Sequence, residues 1–250
     1  MKPKRVAIVV VVLLVVVGVS AGWSAWRNQN PEQKSFDFTG PELTVVADEG
    51  DLELVPVTGQ DGRVSVTRWF KTNKWLGNTG ADWQLEGGRT LQLTSHCEGM
   101  FARCDVRYRL EVPARTKLRV RAQDGTVRGN GFVSDLAIET RDGDIELDDA
   151  RGPLSLVTDD GTIRATGLAT PRVSARSGDG DVRLDFLAAP ESVVATTDDG
   201  QIDVAAPDGP YKITTKVDDG DAESTLPHDP AAQRTIDASA RDGDISIHRR

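Results

Sequence analysis

The stretch Thr140 to Ala165 reads TRDGDIELDDARGPLSLVTDDGTIRA, and it holds the fold in miniature. Asp142-Gly143-Asp144 leads into Ile145 and Leu147. Leu154 and Leu156 then alternate with polar residues up to Thr158, and Asp160-Gly161 leads into Ile163 and Ala165. Alternation with a period of two marks a strand with one buried face. Asp-Gly marks a tight corner, because glycine tolerates positive φ and aspartate accepts backbone N–H groups nearby.

The same unit recurs along the second half of the chain. Asp-Gly stands at Asp124-Gly125, Asp142-Gly143, Asp160-Gly161, Asp179-Gly180, Asp199-Gly200, Asp219-Gly220 and Asp242-Gly243, with glycine spacings of 18, 18, 19, 20, 20 and 23. Two residues after each glycine come Val127, Ile145, Ile163, Val182, Ile202, Ala222 and Ile245; three before it, Thr140, Thr158, Ser177 and Thr197 supply small hydroxyls. A near-constant period predicts stacked units. Two strands of about five residues and two corners account for one unit. The expected fold is all-β: a parallel β-solenoid, a β-helix-like repeat rod, with a β-rich N-terminal cap and one transmembrane helix before it. A meander of Asp-Gly hairpins is the rival; it explains each turn but does not require the period.

Working outward, residues 121–250 form the repeat and residues 36–120 the cap. Strands are expected over Leu43–Val46, Leu52–Val57, Val64–Trp69, Thr90–Thr94, Val106–Val112 and Lys117–Arg121. Residues 28–35 (NQNPEQKS) read as a polar linker, and Thr72 to Asp82 as a projecting loop. Residues 1–27 hold a basic flank and an apolar run. Lys2, Lys4 and Arg5 precede Val6, and the stretch from Val6 to Trp26 is long enough as a helix to span about 30 Å. Trp23 and Trp26 suit the outer interface, and the basic flank places the N-terminus in the cytoplasm and the rest outside. The alternative is a signal peptide cleaved after Val19-Ser20-Ala21, which would release a secreted protein.

The 250-residue chain carries a formal net charge of -9. Residues 1–120 hold 16 basic and 13 acidic residues, a net of +3, which leaves -12 on residues 121–250. So acidic a surface argues against nucleic acid as partner. The sequence contains no Gly-x-Ser-x-Gly, phosphate loop or His-Glu-x-x-His, and its three histidines are scattered. The chain therefore reads as a non-enzyme. Glycan cleavage by paired acids is the rival, but the acids recur in every unit and none is singled out.

Three candidate sites remain. Cys97 and Cys104 are the only cysteines, and an extracytoplasmic location favours a disulfide; a metal reading with His96, and free thiols, stay open. The acidic corners at Asp142, Asp144, Asp160, Asp179, Asp181, Asp199, Asp219, Asp221, Asp242 and Asp244 are either a solvated edge or a weak calcium or magnesium edge. No other cofactor or metal is expected. Trp69, Trp75 and Trp83, with Lys71 and Lys74 between, are either cap core or a partner surface.

The units Arg141-Asp142-Gly143-Asp144-Ile145, Asp159-Asp160-Gly161-Thr162-Ile163, Asp198-Asp199-Gly200-Gln201-Ile202 and Arg241-Asp242-Gly243-Asp244-Ile245, with Cys104 to Pro113 before them, resemble the bacterial family known as the putative adhesins, the toastrack-type domain of unknown function. The resemblance covers about Phe36 to Ile247. It implies a solenoid-like fold at the bacterial envelope and supplies no catalytic residues. Related domains accompany envelope-stress and cell-wall antibiotic responses. Two functions follow as expectations. One is an adhesive or structural envelope protein that binds cell-wall polymer or associates with itself; the other is an accessory sensor that acts through a membrane protein partner.

Overall fold

The computed structural model describes residues 31–38, 40–59, 62–72, 79–97 and 104–250. The described residues form strands and no helix. In chain order these are β1 (Glu32–Asp37), β2 (Glu42–Ala47), β3 (Asp51–Val57), β4 (Arg63–Thr72), β5 (Thr79–Glu86), β6 (Thr90–Cys97), β7 (Cys104–Pro113), β8 (Lys117–Asp124), β9 (Val127–Asn130), β10 (Leu136–Asp142), β11 (Ile145–Asp148), β12 (Leu154–Asp160), β13 (Ile163–Leu168), β14 (Arg172–Asp179), β15 (Val182–Phe186), β16 (Ser192–Asp199), β17 (Ile202–Ala206), β18 (Lys212–Asp219), β19 (Ala222–Ser224), β20 (Thr235–Asp242) and β21 (Ile245–Arg249).

They build two facing sheets. Sheet I runs β5-β6-β2-β8-β10-β12-β14-β16-β20-β18; sheet II runs β1-β4-β7-β3-β9-β11-β13-β15-β17-β21-β19. Each repeat contributes one strand to sheet I, turns at Asp-Gly, and contributes the next strand to sheet II. Successive coils pair in parallel, with Asp124, Asp142, Asp160, Asp179 and Asp199 in register. Parallel pairing excludes the hairpin meander, because hairpin neighbours would be antiparallel. Inward residues alternate with outward ones, as in β8 and β12, and the inward set forms one continuous core from Phe36 to Ile247.

The corner glycines are needed for more than φ. Gly143 and Gly161 do not have positive φ. Yet a Cβ on Gly143 would run into the carbonyl oxygen of Gly125, and one on Gly161 into that of Gly143. The coils approach so closely at this corner that only a hydrogen fits between them. The hydroxyls three residues before the glycine tie the same corners. Thr158 Oγ1 donates to the Gly143 carbonyl at 3.0 Å, Ser177 Oγ to Gly161 at 2.8 Å and Thr197 Oγ1 to Gly180 at 2.9 Å. These hydroxyls are buried, so the bonds satisfy groups that water cannot reach.

Three expectations are corrected. First, strand pairing starts at Glu32, inside the stretch read as a linker: β1 pairs antiparallel with β4 from Glu32↔Arg68 to Asp37↔Arg63. The polar residues mislead because β1 is an edge strand with only Phe36 buried. Second, the cap is not separate from the repeat. β8 runs across the 120/121 boundary, and β2–β3 and β6–β7 are full coils of the same stack. Third, part of the expected loop Thr72 to Asp82 is strand: β5 pairs antiparallel with β6 from Thr79↔Cys97 to Glu86↔Thr90. The stack also departs from chain order at its end: the chain's last coil is not the stack's last coil. β20–β21 lies between β16–β17 and β18–β19, so β18 and β19 form the outer edge.

The anchor expected over Val6 to Trp26, with Trp23 and Trp26, lies outside the described residues. Among the described residues no helix is long and apolar enough to cross a membrane.

Candidate ligand-binding groove

Strand alternation puts Trp69 of β4 on the outer face of sheet II, opposite Arg107 of β7, which in turn stands opposite Asp51 of β3. One step along the strands, Arg109, Glu53, Arg128 and Glu146 follow one another across β7, β3, β9 and β11. These side chains border two concavities of about 360 and 560 Å³ that share Glu53 and Arg128 and so form one groove across the strands.

The groove floor is a mesh of ion pairs. Arg109 reaches Glu53 at 2.9 Å, Arg128 reaches Glu146 at 2.8 Å and Asp51 at 3.7 Å, and Arg107 reaches Asp51 at 3.9 Å. All six side chains are about half exposed, where such pairs contribute on the order of 0–1 kcal/mol. They set planar donors and acceptors side by side on an exposed surface, where a ligand can reach them. Between Arg107 and Arg109, Tyr108 turns inward into the core, and its buried hydroxyl has no hydrogen-bond partner among the described residues. Burial pushes its pKa up to about 12, against the opposing effect of Arg68, so it stays a neutral phenol.

The sequence-predicted residues fall in different places. Trp69 lines the groove, whereas Trp75 lies outside the described residues. Trp83 faces inward from β5 and packs, with Phe70 and Leu85, against the end of the core. The Arg68 guanidinium stacks on it at 4.4 Å and bonds the Ala81 carbonyl and Glu32. A charged residue at an inward position of a terminal layer discourages edge-to-edge pairing. Trp69 and Trp83 thus stand on opposite faces and do not form one surface. Cys97 ends β6 and Cys104 begins β7, and no cysteine is free among the described residues.

The corner aspartates divide into two columns. Those before glycine stack coil upon coil without interruption: Asp124, Asp142, Asp160, Asp179, Asp199, Asp242, Asp219. Asp160 is raised above the ordinary carboxylate value by desolvation and then by the charges of Asp179 and Asp142. The acids after glycine have another task. Asp144 Oδ1 accepts the Thr162 N–H, Asp181 Oδ1 the Gln201 N–H and Asp244 Oδ1 the Asp221 N–H, each at 2.9 Å. Among the described residues no group of three or more metal-ligating side chains comes together.

Sequence reasoning missed Arg107, Arg109, Arg128, Glu53 and Glu146. Their alternation with core residues is visible in Val106-Arg107-Tyr108-Arg109-Leu110 and marks them as outward. Which strands stand side by side is not visible there, because β7 and β3 meet only through a return of the chain around β4 to β6.

The architecture defines a parallel two-sheet β-stack with an external groove. A family model described as Toastrack DUF4097 matches residues 42–250, and the chain belongs to that family. No curated protein matches it. Among solved structures it is similar to a putative cell adhesion protein from Clostridium sporogenes (12% identity, TM-score 0.40, covering 89% of this chain and 100% of the other). It is also similar to a putative adhesin from Bacteroides fragilis (12%, TM-score 0.43, 88% and 97%) and one from Parabacteroides merdae (10%, TM-score 0.31, 88% and 97%). At these scores the overlays are loose, and the fold rests on the strand pairing and the family match.

Proposed function

We propose that this toastrack chain is a non-catalytic interaction module of the bacterial envelope, adhesive or structural, and that it contacts its partner through the groove on sheet II. The observation that carries the reading is the groove itself, a concavity that combines an aromatic side chain with paired charged groups. In this reading residues 6–26 anchor the chain in the membrane with the N-terminus in the cytoplasm, and Cys97 closes on Cys104 at the end of the β6–β7 coil. A second role, as accessory sensor beside a membrane protein, is favoured by one finding. Pairing begins at Glu32, so only residues 27–31 would separate the span from the stack. Five residues reach at most about 18 Å, which keeps the module close to the bilayer.

In-cell photo-cross-linking of the full chain tests this, with the cross-linker at Lys71 on the groove rim and at Asp199 on the acidic edge. Adducts from Lys71 that Asp199 does not give support the groove. Wall polymer in those adducts supports the adhesive role, and one discrete membrane protein the sensor role. The same adducts from both positions, or none from Lys71, would contradict the reading.

A further inference from the structure

We infer that the groove takes an uncharged linear glycan laid across the strands, with Trp69 stacking on one sugar ring and the Arg107, Arg128 and Asp51 cluster holding the hydroxyls. The inference deepens, and rests on, the reading of the chain as an interaction module. Its first support is the direction of the groove. It crosses β4, β7, β3, β9 and β11, which stand side by side in that order. Neighbouring strands in a sheet are about 4.8 Å apart, close to the length of one pyranose ring, so a glycan chain lying this way meets one strand per sugar.

The second support is the chemistry of the floor. A sugar hydroxyl both donates and accepts, so it needs donors and acceptors side by side. Arg109 beside Glu53 and Arg128 beside Glu146 offer them in adjacent pairs. Guanidinium and carboxylate are both planar and can each engage two oxygens of a vicinal diol. The third support is charge balance. A polyanion would meet Asp51, Glu53, Asp105, Glu146 and Asp148; a polycation would meet Lys71, Arg107, Arg109 and Arg128. A neutral polymer meets neither penalty. Trp69 then supplies the flat apolar face that the C–H side of a pyranose requires.

The test is calorimetric titration of the full-length protein in detergent with N-acetylchitohexaose and cellohexaose, with polyphosphate and polylysine for comparison. The expected result is binding of at least one neutral oligosaccharide. Affinity should fall about tenfold in Trp69→Ala and in Arg128→Ala, the scale of a buried interface anchor, and stay within about threefold in Trp69→Phe. Asp199→Asn, on the remote edge, should leave it unchanged. Trp69→Phe and Arg128→Ala keep the test decisive if Trp69→Ala fails to fold. The inference is overturned if neither oligosaccharide binds at millimolar concentration, if binding survives both groove variants, or if polyphosphate or polylysine binds more tightly than the sugars. If Lys71 adducts persist in cells while the sugars fail, only the glycan inference falls; if both vanish, the interaction reading falls with it.

Discussion

The coils in the middle of the stack and the coil at its outer edge are built from the same repeat, yet they are buried to different depths. In the β12–β13 coil the inward residues Leu156, Thr158, Ile163 and Ala165 are at most 1% exposed. In the β18–β19 coil Ile213 and Val217 are half-buried, and Thr215, Ala222 and Ser224 are exposed. The difference explains the order of the last two coils. β19 carries Ala222 and Ser224 where β21 carries Ile245 and Ile247. A coil with two isoleucines loses most by facing water on one side, and a coil with alanine and serine loses least. Placing β20–β21 inside and β18–β19 outside buries Ile245 and Ile247 on both sides. The stack is therefore ordered by which coil can tolerate an open flank as well as by sequence.

Ile247→Ala should destabilise the protein by about 2–5 kcal/mol in chemical denaturation, as for a fully buried aliphatic side chain, whereas Ser224→Ala in the outer coil should change stability by less than about 0.5 kcal/mol. Equal effects would show that the two coils are equally covered. Gly161→Ala comes next. Its methyl group must displace the Gly143 carbonyl in a backbone held from both sides, so a loss of about 1–3 kcal/mol is expected. Thr158→Val removes the hydroxyl that satisfies the Gly143 carbonyl and should cost about 1 kcal/mol. The reverse change at the equivalent outer position, Val217→Thr, should be nearly neutral.

The smallest effect concerns the aspartate column. Asp160 has a raised folded pKa, so it holds its proton more tightly folded than unfolded. Its ionisation therefore weakens the fold as pH rises from the unfolded carboxylate range through the raised folded value, and the penalty is fully present at neutral pH. Asp160→Asn should raise the melting temperature at pH 7 and leave it unchanged at pH 3. A lower melting temperature at pH 7 would show that the charge stabilises the corner.

Much of this was legible in the residues. The Asp-Gly period gave the coils, and the apolar alternation gave the inward faces of β8 to β17. The core residue after the corner breaks pattern only at Ala222, the coil that proves to be outermost. That signal was present, although its meaning depends on the spatial order. β1 was not legible, because an edge strand needs no alternation: its residues Glu32 to Ser35 are exposed. The groove was half legible. Trp69 stood out as an aromatic near lysines, but grouping it with Trp83 assumed that residues 14 apart share a face, and strand parity together with the passage from sheet II to sheet I separates them. Arg107 and Arg128 could be recognised as outward but not as neighbours of Trp69 and Glu53, since long-range pairing is not encoded in local alternation.

The order of the coils can be read directly from amide hydrogen exchange of the native protein, resolved by peptide. An inserted C-terminal coil predicts that the amides of β20 and β21 exchange as slowly as those of β12 and β13, while those of β18 and β19, which lack a neighbour on one side, exchange faster. Slow exchange in β18 and β19 with fast exchange in β20 and β21 would contradict the inserted coil and restore a simple stack in chain order.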